Sequence, residues 1–166
     1  REKLSKSYMH VIFIASISAI VGIIALLVMT RMYNNALNNY GFSQGDIGKA
    51  MTAFSGARSE VRAAVGYMDE DIISDAKDTY YTRKDSFQQY LDDIESSMVT
   101  QAGKDAYNQI VKDLDGYWDL SDQLIEEGST TDQEISKKVQ RREADDLGPA
   151  YQVVYNDLKN LMNIYV

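Results

Sequence analysis

No cysteine occurs in the 166 residues, and histidine and proline occur once each. Without cysteine there is no disulfide, no thiolate nucleophile and no zinc–sulfur site. The single histidine, His10, sits at the edge of an apolar N-terminal run, so the rest of the chain has neither a Ser–His pair nor a His-ligated metal. Catalysis would have to rest on carboxylates alone; no catalytic residue, metal or cofactor is expected. A di-iron or haem bundle is disfavoured too, since Glu-x-x-His pairs and a C-x-x-C-H attachment are both missing. Positive charge is scarce as well. Beyond Arg31 stand 13 basic and 24 acidic residues, a net charge of −11, the reverse of a nucleic-acid-binding face. One proline, no alternating strand pattern, and abundant Ala, Leu, Asp, Lys and Gln predict helices throughout.

What the chain does have is one long uncharged run, Val11 to Met29 (VIFIASISAIVGIIALLVM). As a helix rising about 1.5 Å per residue it spans close to 30 Å, the hydrocarbon thickness of a bilayer. A cleaved signal peptide fits poorly, because the run is too long and no A-x-A-like site precedes Arg31. A buried core helix would rarely go so far without a charge or an amide. Arg1, Lys3 and Lys6 flank the run on one side, which predicts a cytoplasmic stub over 1–10 and a membrane span over 11–30. Residues 31–166 then form an extracytoplasmic domain anchored in the inner, cytoplasmic membrane. A chain beginning at Arg is expected to be part of a longer protein. Its apolar end, Leu161 to Val166, reads as the approach to a second span.

From Tyr33 onward, core-type positions recur at alternating spacings of four and three: Tyr33, Leu37, Tyr40, Gln44, Ile47, Met51, Phe54, Arg58, Val61, Val65, Met68 and Ile72. Such a phase, held for about forty residues, is a bundle seam. Three further stretches repeat it: Lys84 to Met98, Tyr107 to Leu124, and Ala144 to Tyr165. Helices are therefore expected at about 31–73, 80–98, 101–127 and 131–166. Thr82 with Asp85 suggests a capping-box start, Thr100 a short turn, and Gly128 a helix end before a Thr131/Glu134 cap. Short connections make neighbours antiparallel. The expected fold is all-α: an up-down-up-down four-helix bundle, with the transmembrane helix continuing into its first helix. Pro149 should kink the last helix. Gly41, Gly45, Gly48, Thr52 and Ser55 form a small-residue stripe suited to self-pairing in a homodimer. Ser43 with Asp46 offers a competing helix start there, but the unbroken phase favours a continuous or kinked helix.

Arg58 lies on the apolar seam, where an unpaired guanidinium is costly to bury, and Arg62 follows one turn later. Counting from the distal helix ends brings Arg141, Arg142, Tyr117 and Trp118 to about the same level. Arginines beside aromatic faces suit a carboxylate ligand held by fork-like hydrogen bonds. The competing interpretation pairs Arg58 and Arg62 with acids of the bundle and leaves Arg141 and Arg142 on a solvated face.

Taken together, the basic stub and span, NNYGFSQGDIGKAM, the Arg58-x-x-x-Arg62 pair, AYNQIVKDLDGYWDL and DLGPAYQVVYNDLKNL resemble the four-helix-bundle ligand-binding domain of bacterial methyl-accepting chemotaxis receptors. The resemblance covers nearly the whole chain. It implies a receptor that dimerises through its first helix, binds a small molecule such as an amino acid or organic acid near the dimer seam, and passes a displacement of the fourth helix inward. It further implies a HAMP linker and a cytoplasmic module controlling a histidine kinase. Relatives that bind carboxylates use first-helix arginines. Only the Arg58/Arg62 pair matches that pattern, and a third arginine is missing. The alternatives are the sensor of a membrane histidine kinase or cyclic-nucleotide enzyme, or a membrane-anchored helical module that binds a protein.

Overall fold

A computed structural model describes residues 2–37 and 42–165, and the chain divides into two compact units, one within 1–38 and the other within 39–166. In the first unit α1 (Glu2–Ala36) is a single helix of 35 residues. Its stretch Ile12–Ala36, whose most apolar 18 residues have a mean hydropathy of 2.8, is long and apolar enough to cross a membrane. Every residue of that stretch is exposed. The few hydroxyls are turned back on the helix: Ser16 donates to the Ile12 carbonyl at 2.8 Å, Ser18 to Ile14 at 3.0 Å and Thr30 to Leu26 at 2.9 Å. Internal satisfaction of this kind is what a hydrocarbon surrounding demands.

The second unit is a four-helix bundle built from α2 (Phe42–Gly66), α3 (Glu70–Ser96), α4 (Gln101–Gly128) and a fourth segment made of α5 (Gln133–Arg142), a π-helical turn (Glu143–Leu147) and α6 (Gly148–Ile164). Sequential segments run antiparallel. Val65 meets Ser136 at one end, and Tyr165 meets Met98 at the other. α2 lies closest to α3, and α4 to α6, whereas the backbones of α3 and α4 stay further apart and meet through their side chains. The fully buried Ala50, Ala57 and Ala64 of α2 leave room for that close approach. At the bundle centre Phe54 stacks on Tyr151 (5.1 Å between centroids, 7° between planes) and packs against Phe87, Tyr117 and Trp118 at 5.5, 4.6 and 5.7 Å. One phenylalanine thus contacts aromatic rings from three other segments.

Helix boundaries differ from the expected ones at the far end of α2. The seam phase predicts a first helix reaching Ile72, yet it stops at Gly66 and a new helix starts at Glu70. The Asp69 carboxylate accepts from the Asp71 and Ile72 amides at 3.0 and 3.2 Å, and Glu70 and Asp71 add negative charge to the helix start. Met68 and Ile72 are consequently exposed. The polar run Ser74–Asp78, which falls between the expected first and second helices, lies within α3, where Ala76 is buried and the acids face water. Thr82 is not a cap; its hydroxyl bonds back to the Asp78 carbonyl at 3.0 Å. At the last start Asp132, not Thr131, caps the Glu134 and Ile135 amides. Thr100 caps α4 through the Gly103 amide at 3.0 Å. Gly128 ends its helix as expected, without a left-handed turn, and its missing side chain is the point. A Cβ there would come within 2.5 Å of Val65 and 2.8 Å of Val139.

Ser43, Gly45 and Asp46 lie in the first turns of α2, which is described from Phe42 onward. Gly41 and the junction between α1 and α2, where continuity was expected, lie outside the described residues. Pro149 produces a π turn instead of a plain kink. Its ring would crowd the carbonyl four residues back and offers that carbonyl no N–H. The helix widens instead, and the Gly148 amide bonds to the Glu143 carbonyl five residues earlier. The extra residue shifts the inward face. Ala144, expected in the core, is exposed, and Glu143 is buried in its place.

Candidate functional site

The π turn delivers one carboxylate to the two seam arginines. Glu143 is 5 % exposed. Its Oε1 accepts from Arg58 Nε at 3.2 Å, and its Oε2 lies 3.5 Å from Arg62 Nε. Arg58 is only one-fifth exposed, while Arg62 reaches largely into solvent. The α-helical spacing of four puts both guanidiniums on one face of α2, so they converge on a single acid. Arg58 also lies over the Tyr151 ring, 4.4 Å from its centroid. Tyr151 is held in turn by its stack on Phe54 and by a 2.8 Å hydrogen bond between its hydroxyl and Ser55. Gly148 clears the path for the guanidinium, since a Cβ there would lie 3.2 Å from an Arg58 terminal nitrogen.

Tyr117 completes the site from α4. It is almost wholly buried, and its hydroxyl has no hydrogen-bond partner among the described residues. Burial pushes its phenol well above the usual tyrosine range; the Arg58 guanidinium pulls the other way, and Tyr151 and Glu143 add to the rise. The result is a cluster of one buried carboxylate, one mostly buried and one exposed guanidinium, and a buried phenol. Such an arrangement can hold an anion by forked hydrogen bonds. Among the described residues no group of acids and histidines could hold a metal.

The other residues singled out from the sequence are dispersed. Trp118 packs against Phe54, Tyr80, Phe87 and Tyr117, and Lys84 covers its ring at 5.2 Å. It packs directly beside the site, against Tyr117. Arg142 pairs with Glu127 of α4 and lies 3.9 Å from Asp146. Arg141 is exposed and makes no ion pair among the described residues. Of the small-residue stripe, Gly45, Gly48 and Thr52 line an open groove of about 460 Å³ between α2 and α3, whose far wall is Arg83, Ser86 and Tyr90. Ser55 instead turns inward to Tyr151.

Glu143 and Tyr151 do not stand out in the sequence as site residues. The only available signal for Glu143 was Gly148-Pro149, which announces a broken helical phase, and a phase break is what carries an acid into a core. A second polar cluster was also invisible. Tyr80 hydrogen-bonds Ser121 and donates to Asp122 at 2.6 Å, and Lys84 Nζ sits 2.7 Å from the other Asp122 oxygen. Burial first, and then the Asp122 bond, raise the Tyr80 phenol far above its ordinary value. Together with the packing of Trp118 on Tyr80 and Phe87, this cluster ties α3 to α4.

An apolar helix long enough to cross a bilayer, followed by an antiparallel four-helix bundle with a carboxylate buried between its first and last segments, defines the class: a helical sensory module with one candidate membrane span. The chain belongs to the family of four helix bundle sensory modules for signal transduction, which it matches over residues 1–166. The family is the sensory part of chemoreceptors rather than a catalytic domain. No match was found among curated protein sequences or among solved structures.

Proposed function

We propose that this chain is the sensory portion of a transmembrane chemoreceptor: α1 crosses the inner membrane, the bundle faces the extracytoplasmic side, and a small carboxylate such as an amino acid or organic acid is read at Arg58 and Arg62. The observation that carries this reading is the convergence of both guanidiniums on one carboxylate, Glu143, beside the buried Tyr117 hydroxyl. A site that holds one carboxylate in this way has the chemistry to hold another. The fourth segment supplies the acid, so occupancy and helix position are linked. A ligand shifts that position only by its differential affinity for the two arrangements. The cytoplasmic partner is a kinase-control module, reached through the fourth segment. Homodimerisation through α2 would use the groove floored by Gly45, Gly48 and Thr52.

The experiment is a titration of the full 166-residue chain in nanodiscs with a panel of amino acids and small organic acids, reading thermal unfolding by the fluorescence of Trp118, the single tryptophan. At least one carboxylate should raise the melting temperature by several degrees when present at roughly a hundred times its dissociation constant. Arg58→Ala should abolish that rise. A panel with no shifts would overturn direct small-molecule sensing, and a shift that survives Arg58→Ala would overturn the assignment of the residue.

A further inference from the structure

We propose that Glu143 is an internal competitor for the arginine pair, and that exchange of its carboxylate for a free one is the event that releases the fourth segment. This rests on the preceding reading that a ligand carboxylate is received at Arg58 and Arg62, and it adds what stands in the way. Glu143 is the most deeply buried charged residue among those described, and both of its oxygens face guanidiniums. It occupies the place where an incoming carboxylate would make the same forked bonds. Arg62 is largely solvent-exposed, so a free carboxylate has an approach to the pair from outside.

Glu143 is also the first residue of the π turn, and its carbonyl accepts the widened Gly148 bond. Side chain and backbone of one residue therefore do two tasks: the carboxylate pins the turn to α2, and the carbonyl closes the turn. The pin lies one helical turn from Gly148, over which the Arg58 guanidinium passes, and two turns from Tyr151, whose ring it covers. Expelling the carboxylate removes the only ion pairs that hold the π turn to α2 among the described residues. A turn carrying one extra residue is a natural point of slip, worth about 1.5 Å along the axis per residue. Single π turns recur at functional positions for this reason.

The test removes the competitor and offers a small substitute. Glu143→Ala in the full chain in nanodiscs leaves two arginines facing a side-chain-sized gap, and its melting temperature should fall by roughly 5–10 °C, as expected for loss of one member of a buried pair. Millimolar acetate or propionate should restore at least half of the loss in a saturable way, while chloride at equal ionic strength does not. In the Glu143→Ala/Arg58→Ala double variant the rescue should vanish. Acetate that acts no better than chloride would overturn the proposal. Should Glu143→Ala fail to fold, Glu143→Gln keeps the volume, and its affinity for acetate should exceed that of the unsubstituted chain at least tenfold. Equal affinities would refute competition.

Release of the segment is read separately. Since the chain has no cysteine, Gln89→Cys on α3 and Asn156→Cys on α6, both exposed, carry spin labels without background. Their distance distribution should differ between Glu143 and Glu143→Ala chains, and superimposed distributions would overturn the coupling. The two readings fail differently. A silent ligand panel with intact acetate rescue removes the sensing role and leaves Glu143 as occupant of an anion site. Ligand shifts that depend on Arg58 but are not strengthened by Glu143→Gln remove the competitor and leave the sensor.

Discussion

α1 and the bundle are equally helical and spend their apolar residues in opposite ways. From Ile12 to Ala36 α1 leaves every residue exposed, Leu27 at 59 % among them, whereas Phe54, Phe87 and Leu158 of the bundle are fully buried. A continuous apolar surface suits a helix whose solvent is hydrocarbon, and a striped one suits a helix that must build its own apolar interior. The difference teaches that apolar content by itself says nothing about stability. What counts is whether the chain or its surroundings cover it.

That contrast can be broken by mutation. Phe54→Ala removes the ring at the centre of the aromatic cluster and should cost roughly 3–5 kcal/mol of bundle stability in urea unfolding. Leu27→Ala in α1, though it removes comparable apolar surface, should leave the same transition within about 0.5 kcal/mol. Equal losses would mean that α1 and the bundle unfold as one unit. A finer version compares two glycines of the bundle. Gly128→Ala pushes a methyl group into Val65 and Val139 and should cost about 1–3 kcal/mol. Gly45→Ala meets nothing within 4 Å and should be neutral or stabilise by up to about 1 kcal/mol. Smaller still, Asp69→Ala strips the cap that starts α3 and should cost about 1 kcal/mol.

The last prediction is a pH dependence confined to the bundle. Burial, assisted by Glu95 and Asp92, pushes the Tyr107 phenol up to about 12, and Tyr80 and Tyr117 are raised in the same direction. A raised tyrosine keeps its proton longer when folded than when unfolded. Above the ordinary value near 10 the unfolded chain therefore binds fewer protons, and stability falls as pH climbs from about 10 through 12. Denaturation at pH 8, 10 and 11 should show successively lower midpoints. A flat profile over that range would mean that these phenols are not held protonated by the fold.

Much of the architecture was legible beforehand because helical periodicity is a local property. The third-helix stretch Tyr107, Ile110, Leu114, Tyr117, Ser121 and Leu124 is buried throughout, as its spacing predicts. Reading failed where one short-range signal overrode another. Gly66 and Asp69 ended α2 although the seam phase ran on to Ile72, and an acid-rich exposed face in α3 imitated a break between helices. At the candidate site, the Arg58/Arg62 pair could be found from spacing alone. Its partner could not, since the expected phase put Ala144 rather than Glu143 inside.

The order of residues by itself determined a lipid-length apolar helix, four helical segments running back and forth, and two arginines on one helical face, all set by neighbours within a turn or two. Only tertiary structure decided what those arginines hold. Glu143 is 85 residues beyond Arg58, and it meets that side chain because a proline widens one turn and because close packing leaves this mostly buried guanidinium no cheaper partner. Contacts across such separations depend on register and packing, which are properties of the assembled bundle and not of any one segment.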